Sequence, residues 1–143
     1  MMMRAGSCLC GSVTFEAKGD ATEMDACHCT MCRRQNSGSA FIGVHVSEGV
    51  ALKEASGLSW YSASNWAERG FCKECGSSLF WRLKGEASNF SIAVGALDDV
   101  SGLKLDAHIF TDEAPHYYSV PKDAPHKTGE QVIKEFQERQ SNV

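Results

Sequence analysis

The sequence predicts a mainly β protein built from short antiparallel strands, and three observations carry this prediction. Short runs rich in β-branched and aromatic residues recur along the chain, separated by Gly, Ser, Asn and Asp. No long helical pattern interrupts these runs, which disfavours parallel βα units. The chain has 143 residues, of which 43% are hydrophobic and 22% are charged. We therefore expect one globular domain with a core of its own.

Six segments have the residue types and lengths of strands. In the first, SVTFEA at residues 12–17, Val13 and Phe15 alternate with polar residues and share one face. The other five are residues 39–46, 58–64, 77–83, 89–97 and 105–110. Most of the β structure is therefore expected in the middle of the chain.

Two segments are predicted as helices. The first is the short stretch TMCRRQNSG, which follows Cys29 and ends at Gly38. The second is the C-terminal stretch TGEQVIKEFQERQ, where Thr128 and Gln131 form a capping-box pattern. Its apolar residues then fall on one helical face. The proline-containing stretch between 112 and 127 is predicted to be an irregular loop.

The charge and hydropathy patterns exclude several classes of partner. The formal net charge is −4, and Arg33–Arg34 is the only adjacent pair of basic residues, which argues against a nucleic-acid partner. No apolar run approaches the ~20 residues that span a bilayer. The first residues also lack the pattern of a signal peptide. We therefore expect a cytoplasmic protein with no membrane partner, and the sequence leaves open whether it forms a homodimer.

Cysteine usage is the unusual feature of the composition. The seven cysteines form three tight groups, C-x-C, C-x-C-x-x-C and C-x-x-C, at Cys8 and Cys10, at Cys27, Cys29 and Cys32, and at Cys72 and Cys75. An odd count in a cytoplasmic chain disfavours a disulfide framework. Buried free cysteines would be scattered, whereas these are clustered. The pattern predicts metal binding, with zinc as the first candidate because thiolates favour soft or borderline cations.

The local backbone must bend for these motifs to chelate a metal. In a regular strand the rise of about 3.3 Å per residue keeps the side chains of a C-x-C pair too far apart. Gly11 follows Cys10, and Gly76 follows Cys75. Because glycine adopts positive φ readily, both positions are predicted to turn sharply. The stretch FCKECGS at 71–77 therefore has the pattern of a metal-binding turn.

Seven ligands fill one four-coordinate site and leave three for another, and two partitions are open. In one, a closed site uses Cys8, Cys10, Cys72 and Cys75, and an open site uses Cys27, Cys29 and Cys32. In the other, the closed site uses Cys29, Cys32, Cys72 and Cys75. The second partition needs a separation between its pairs much longer than the usual 15–20 residues. Spacing therefore favours the first, in which the three-cysteine group chelates locally with little loop-closure cost.

His28 offers a further alternative, because it could complete the open site. In an extended stretch, however, its side chain points away from those of Cys27 and Cys29. We therefore favour His28 as a core residue, or as a residue that contacts a metal ligand without binding the metal itself. An iron–sulfur cluster is disfavoured because this cysteine spacing is not one of the usual ones.

Three segments resemble the glutathione-dependent formaldehyde-activating enzyme family, which shares its domain with centromere protein V. They are SCLCGSVTFEA at 7–17, ACHCTMCRRQNSGSAF at 26–41 and ERGFCKECGSSLFW at 68–81. The resemblance covers roughly residues 4 to 120. The stretch DAHIFTDEAPHYYSV at 106–120 is also similar to the family, although Tyr117 or Tyr118 stands where a tryptophan is often found.

The resemblance implies a β-tent-type zinc-binding domain over residues 4–120, to which the residue pattern adds 121–143 as a loop and C-terminal helix. It also implies two zinc ions per chain. The structural ion would be held by Cys8, Cys10, Cys72 and Cys75, and the catalytic ion by Cys27, Cys29 and Cys32. The implied activity is that of a carbon–sulfur lyase or synthase, which cleaves or forms the adduct between formaldehyde and the thiol of glutathione.

The charge of an open three-thiolate zinc site also favours a reaction at the thiol of a substrate. Three thiolates give a zinc site a net charge near −1, so the zinc is a poor Lewis acid for water but can hold an exchangeable fourth thiolate. A thiol bound to zinc is deprotonated and becomes a nucleophile or a leaving group.

Substrate contacts and non-catalytic functions complete the set of hypotheses. Arg33 and Arg34 directly follow Cys32 and could bind a substrate carboxylate in a bidentate manner, although they could equally be solvated residues on a short helix. The alternative functions are a non-catalytic zinc-stabilised binding module, or a thiol or metal sensor that uses the open site as its switch.

Overall fold

A computed structural model of the chain describes residues 3–141. Its secondary structure consists of short strands, two α-helices and two 3-10 turns. In chain order the elements are β1 (Arg4–Ser7), β2 (Thr14–Ala17), β3 (Glu23–Cys27), α1 (Thr30–Gln35), β4 (Phe41–Val46), β5 (Val50–Glu54), β6 (Leu58–Ser62), β7 (Ala67–Cys72), β8 (Ser78–Leu83), β9 (Phe90–Ala93), a 3-10 turn (Val94–Ala96), β10 (His108–Ile109), a 3-10 turn (Thr111–Glu113), β11 (His126–Lys127) and α2 (Gly129–Ser141).

The described residues divide into two compact units. The larger unit contains residues 3–23 and 43–104, and the smaller unit contains residues 24–42 and 105–141. The predicted boundary between residues 120 and 121 stays a prediction. Residues 142 and 143 of the predicted appended segment lie outside the described residues. No helix within residues 3–141 is long and apolar enough to cross a membrane.

The larger unit is antiparallel β, as the sequence predicts. Strands β1, β2 and β5 pair side by side, and β4, β9, β8, β7 and β6 pair in that order. Its core is apolar and centred on Phe80, whose ring contacts that of Phe15 edge-on at 5.0 Å and that of Phe90 at 5.4 Å. Predicted strand residues Val13 and Phe15 are both buried, at 0% and 1% exposure.

The smaller unit differs from the expectation of antiparallel pairing. Strand β10 pairs in parallel with both β3 and β11. Parallel neighbours need long connections, and a long stretch of chain does separate β3 from β10. Because β10 and β11 are two residues each, the sequence carries too little pattern to reveal their direction. The mainly β class, the short helix after Cys29 and the C-terminal helix are nevertheless confirmed.

The predicted strand over residues 89–97 is shorter than expected. Strand β9 ends at Ala93, and residues Val94–Ala96 form a 3-10 turn. Glycine weakens strands because it has no side chain to pack, and Gly95 lies inside this turn. The predicted loop over 112–127 is irregular apart from the end of one 3-10 turn and β11.

The capping box of α2 is present in the structure. The Thr128 hydroxyl accepts a hydrogen bond from the Gln131 backbone N–H at 3.2 Å, and the Gln131 side-chain oxygen accepts one from the Thr128 N–H at 2.8 Å. These reciprocal bonds satisfy backbone donors that a helix N-terminus otherwise leaves without partners. They fix the residue at which α2 begins.

Thr128→Ala is expected to destabilise α2 by about 1 kcal/mol, because it removes the side-chain half of the cap. Amide hydrogen exchange along the helix measures the effect, and the first turn should exchange fastest. Gln137→Ala, at an exposed position of the same helix, is the matched control and should change little. Equal exchange in the two variants would contradict a stabilising cap.

Candidate functional site

The four cysteines that the sequence assigns to a closed site lie together in the larger unit. Their Sγ atoms all lie within 4.8 Å of one another, and none of the four cysteines is in a disulfide. The Cys10 Sγ is 3.8 Å from the Sγ atoms of both Cys8 and Cys72. Cys8 follows β1, whereas Cys72 ends β7 and Cys75 lies in the turn after it. The cluster therefore joins two parts of the chain that are far apart in sequence.

The spacing of these sulfurs fits a tetrahedral metal ion. Zinc–sulfur bonds of about 2.3 Å place the sulfurs of a tetrahedral site about 3.8 Å apart. That value agrees with the two distances from Cys10 Sγ. Four thiols at this spacing could hold one metal ion, and zinc is compatible with them.

Both predicted backbone bends are present. Gly11 has φ 85° and Gly76 has φ 80°, values that residues with a Cβ rarely adopt. The Gly76 N–H donates to the Cys72 carbonyl at 2.7 Å, which closes the C-x-x-C turn. Backbone N–H groups of Cys75 and Glu74 then face the Cys72 sulfur. The turn is thus shaped to surround a thiolate with donors.

The pKa values of the Cys72 and Cys75 thiols are shifted in opposite directions by their surroundings. Burial raises the pKa of Cys72 to about 11. Hydrogen bonds from the side chain and the backbone of Ser77 lower the pKa of Cys75 to about 5. The cluster therefore contains one thiol that ionises readily and one that needs a bound cation to do so.

The other three cysteines lie together in the smaller unit. The Sγ atoms of Cys27, Cys29 and Cys32 also lie within 4.8 Å of one another. Cys27 ends β3, Cys29 is the N-cap of α1, and Cys32 lies in the first turn of that helix. The Cys29 sulfur accepts a hydrogen bond from the Cys32 backbone N–H at 3.3 Å, so a thiol serves as the helix cap. Cys27 is the partly exposed member of the group.

The Cys27 thiol is strongly affected by its two neighbours in the cluster. Hydrogen bonds to Cys29 and Cys32 raise the pKa of Cys27, and burial and the charges of both neighbours raise it further. Three thiolates so close together repel one another unless a cation neutralises them. This donor set could hold a second metal ion, with a side left for another ligand because the described residues supply only three donors.

The structure places His28 outside this cluster. Its side chain is 4% exposed, and both ring nitrogens have partners. The Nδ1 atom is 2.7 Å from the hydroxyl oxygen of Tyr118, and the Nε2 atom is 2.9 Å from Nδ1 of His108. This arrangement agrees with a core residue that supports its neighbours and disfavours His28 as a fourth ligand.

Arg33 and Arg34 lie in the last turn of α1, on the helix that carries Cys32. The Arg33 Nε atom donates to the His28 carbonyl at 3.2 Å, which holds this side chain in place, whereas Arg34 is exposed. An open groove beside them is lined by Thr30, Arg33, Arg34, Ser37 and Gly38. Binding of substrate by the two arginines stays a prediction.

Sequence reasoning missed a set of residues between 108 and 118 that contact His28, Thr30 and Gly38. One Glu113 carboxylate oxygen accepts hydrogen bonds from the Thr30 backbone N–H and from the Thr30 hydroxyl, both at 2.9 Å. The Tyr117 hydroxyl donates to the Gly38 carbonyl. These contacts hold α1 near both of its ends. The pair of tyrosines in HYYSV was the only sequence signal, and it did not indicate their partners.

Phe110 explains how this segment reaches α1. It has φ 55°, in the left-handed region that aromatic residues rarely occupy. The chain turns there into the 3-10 turn that contains Glu113. A Cβ on Gly129 would lie 2.7 Å from the Phe110 ring, so only glycine fits at the start of α2 without a shift of that ring.

The fold and the two clusters define a mainly β protein with two thiol-rich centres that could each hold a metal ion. The profile of the family described as glutathione-dependent formaldehyde-activating enzyme matches residues 3–113. The chain belongs to that family.

Two similar proteins add to this assignment. The chain is 26% identical over 129 residues to a protein of Schizosaccharomyces pombe named uncharacterized lyase C29B12.13, with 90% of this chain and 93% of the relative covered. It is also similar to a crystal structure of a Rhodobacter sphaeroides protein, with a TM-score of 0.54 and 22% identity over 68% of this chain and 90% of the other. The second similarity supports the fold alone.

Proposed function

We propose that the protein is a zinc-dependent carbon–sulfur lyase or synthase that acts on an adduct of glutathione and an aldehyde, of the S-hydroxymethylglutathione type. The observation that carries the proposal is the cluster of Cys27, Cys29 and Cys32, which offers three thiols and no fourth protein ligand among the described residues. The glutathione-related description of its family and the lyase name of its yeast relative support it. A cytoplasmic location is part of the proposal and rests on the sequence.

The two clusters take different roles in this proposal. Cys8, Cys10, Cys72 and Cys75 would hold a structural zinc, because four protein ligands leave no position for a substrate. Cys27, Cys29 and Cys32 would hold the catalytic zinc. Bound there, zinc would supply a position at which the thiol of glutathione is held as a thiolate.

The reaction itself balances without a redox partner. In the forward direction the thiolate sulfur attacks the aldehyde carbon, a carbon–sulfur bond forms, and the carbonyl oxygen takes up one proton. In the reverse direction the hydroxyl group loses that proton, the carbon–sulfur bond breaks, and the sulfur leaves as a thiolate. A site for this reaction must therefore hold a thiol, orient the rest of the molecule and interact with one oxygen atom.

The protein residues beside the cluster are suited to orienting the substrate. Glutathione carries two carboxylates, and guanidinium groups bind carboxylates in a bidentate geometry. Arg33 is already held by the His28 carbonyl through Nε, and its terminal nitrogens make no hydrogen bond within residues 3–141, so a ligand could bind them. Arg34 is exposed and reaches the same groove.

Elemental mass spectrometry and X-ray absorption on the purified protein, with and without glutathione, test the proposal. We expect two zinc ions per chain in both conditions, with a fourth sulfur at the second zinc only when glutathione is present. One zinc ion per chain that is unaffected by glutathione would overturn the proposal. That result would instead favour a zinc-stabilised binding module.

Arg33→Ala is expected to raise KM for the glutathione adduct roughly 10- to 100-fold with little change in kcat. Hydrogen bonds to charged groups contribute about 1.5–3 kcal/mol, and a contact made equally in ground and transition states affects KM alone. Steady-state kinetics measures the split. Arg139→Ala, at an exposed position of α2, is the matched control.

The substrate itself supplies a second control for Arg33. The formaldehyde adduct of 2-mercaptoethanol has no carboxylate, so Arg33→Ala should leave its KM unchanged. An equal rise in KM for both adducts would mean that Arg33 does not bind a substrate carboxylate.

A further inference from the structure

Three side chains of the smaller unit, His108, His28 and Tyr118, form a hydrogen-bonded chain, and His28 stands between Cys27 and Cys29 in the sequence. His108 Nδ1 lies 2.9 Å from His28 Nε2, and His28 Nδ1 lies 2.7 Å from the Tyr118 hydroxyl oxygen. The two histidines are 5% and 4% exposed, whereas Tyr118 is partly exposed. One end of the chain is thus closed to solvent and the other is accessible.

The buried end has a polar atom without a partner. Nε2 of His108 makes no hydrogen bond to any described residue. A neutral imidazole has one N–H donor and one acceptor nitrogen. Because His28 Nε2 and His108 Nδ1 form a hydrogen bond, one of these two nitrogens must act as the acceptor, and burial of both rings disfavours a charged imidazole, so we assign both rings the neutral form. The unpartnered atom therefore carries either an N–H or a lone pair, and this choice determines the direction of every hydrogen bond in the chain.

In the first arrangement His28 donates from Nε2 to His108, and the Tyr118 hydroxyl donates to His28 Nδ1. The proton of His108 then lies on Nε2, which leaves a buried N–H without an acceptor. In the second arrangement His108 donates from Nδ1 to His28, and His28 donates from Nδ1 to Tyr118. Only a lone pair of His108 is then left without a partner, and the Tyr118 O–H becomes free to donate.

The second arrangement is favoured because buried N–H groups without acceptors are rarer in proteins than acceptors without donors. It also places the free donor on Tyr118, the partly exposed member of the three. Tyr118 contacts His28, which stands between Cys27 and Cys29 in the sequence. Burial raises the pKa of the Tyr118 hydroxyl, and the charges of Arg33, Cys27 and Cys32 also act on it.

We propose that His108 donates a hydrogen bond to His28 and that His28 donates one to Tyr118. The Tyr118 hydroxyl then donates a hydrogen bond to the aldehyde-derived oxygen of a substrate at the three-cysteine site. This inference rests on the proposed function, because that reaction places negative charge on one oxygen as the carbon–sulfur bond forms or breaks. Tyr118 is then a catalytic residue, and His28 and His108 are positioning residues. No charge moves along the chain, since each group keeps its neutral form and only the direction of donation is specified.

The direction of the chain is tested by NMR on the metal-loaded protein with ¹⁵N-labelled histidine. Two-bond ¹H–¹⁵N correlations distinguish the two neutral tautomers of each ring. We expect His28 and His108 both to carry their proton on Nδ1, and signals are assigned from single substitutions of the histidines. A proton on Nε2 of either ring would overturn the proposal.

The role of Tyr118 is tested by kinetics on S-hydroxymethylglutathione formed from glutathione and formaldehyde. Tyr118→Phe should lower kcat about 10²-fold to 10³-fold, in line with the loss of one donor to a developing oxyanion. KM and metal content should stay within twofold of wild type. Tyr61→Phe, at an exposed position of the larger unit, is the control. An unchanged kcat in Tyr118→Phe would overturn the proposal.

Two variants of His108 distinguish its role as a hydrogen-bond donor to His28 from a role in packing alone. His108→Asn keeps a donor near the position of Nδ1 and should retain most of kcat, whereas His108→Leu removes the donor and should lower kcat as Tyr118→Phe does. Equal loss in both variants would mean that His108 acts only through packing. If wild-type protein has no turnover, the proposed function fails together with the role of Tyr118, while the NMR result still decides the direction of the chain.

Discussion

Cys72→Ser is expected to unfold the protein or cause it to aggregate, whereas Cys27→Ser is expected to leave a folded protein with one zinc ion fewer. Cys72 is 0% exposed and belongs to the cluster that joins the stretch after β1 to the turn after β7. Apparent binding free energies of structural zinc are about 10–16 kcal/mol. Since the net stability of a domain is only about 5–15 kcal/mol, loss of this ion is expected to dominate.

Circular dichroism, solubility and zinc content of the two purified variants check this expectation. Ser77→Ala is a useful companion, because it removes a hydroxyl from the side of Cys75 but no metal ligand. It should lower zinc affinity without unfolding the protein. If Cys27→Ser unfolds the protein and Cys72→Ser does not, the structural and catalytic roles of the two clusters have been assigned in the wrong order.

Cys29→Ser is expected to reduce turnover of the glutathione–aldehyde adduct to the uncatalysed background and to release the second zinc ion. A catalytic metal contributes several kcal/mol to a transition state, so we expect a loss of at least about 10²-fold. Serine is itself a good N-cap residue, so α1 should keep its first turn. The loss of activity would then reflect the missing thiol and not a frayed helix.

Cys29→Ala is the matched comparison, because it removes both the thiol and the cap. Turnover should be lost equally in both variants, whereas hydrogen exchange in α1 should rise more in the alanine variant than in the serine variant. Turnover of Cys29→Ser that stays at the wild-type level would remove the basis for catalysis at the three-cysteine cluster.

The sequence predicted the antiparallel part of the fold because its strands carry clear alternation. Val13 and Phe15 share a buried face, and β4, β8 and β9 each begin within a few residues of the predicted start. Strands β10 and β11 could not be predicted in the same way, because two residues have no period. Their parallel pairing depends on tertiary contacts and not on local pattern.

The groups of cysteines were predictable because their ligand spacing is local. The glycines after Cys10 and Cys75 correctly predicted the backbone bends. The partners of His28 were not predictable. Tyr118 and His108 lie 90 and 80 positions away along the chain, and nothing in their local sequence links them to it. The direction of their hydrogen bonds depends on His108 Nε2, which has no partner among the described residues. Only a three-dimensional structure reveals such an atom.

The sulfur cap on α1 has a consequence for how metal affinity should be interpreted. Cys29 would be at once a ligand of the ion and the residue that begins the helix. Metal uptake and ordering of this short helix would then be thermodynamically linked, and the measured affinity would include the free energy of forming the helix. Arg34→Gly, which disfavours helix by about 1 kcal/mol, should weaken metal binding roughly fivefold without altering any thiol. The occupancy of the site would in this way also govern whether its arginines are in place.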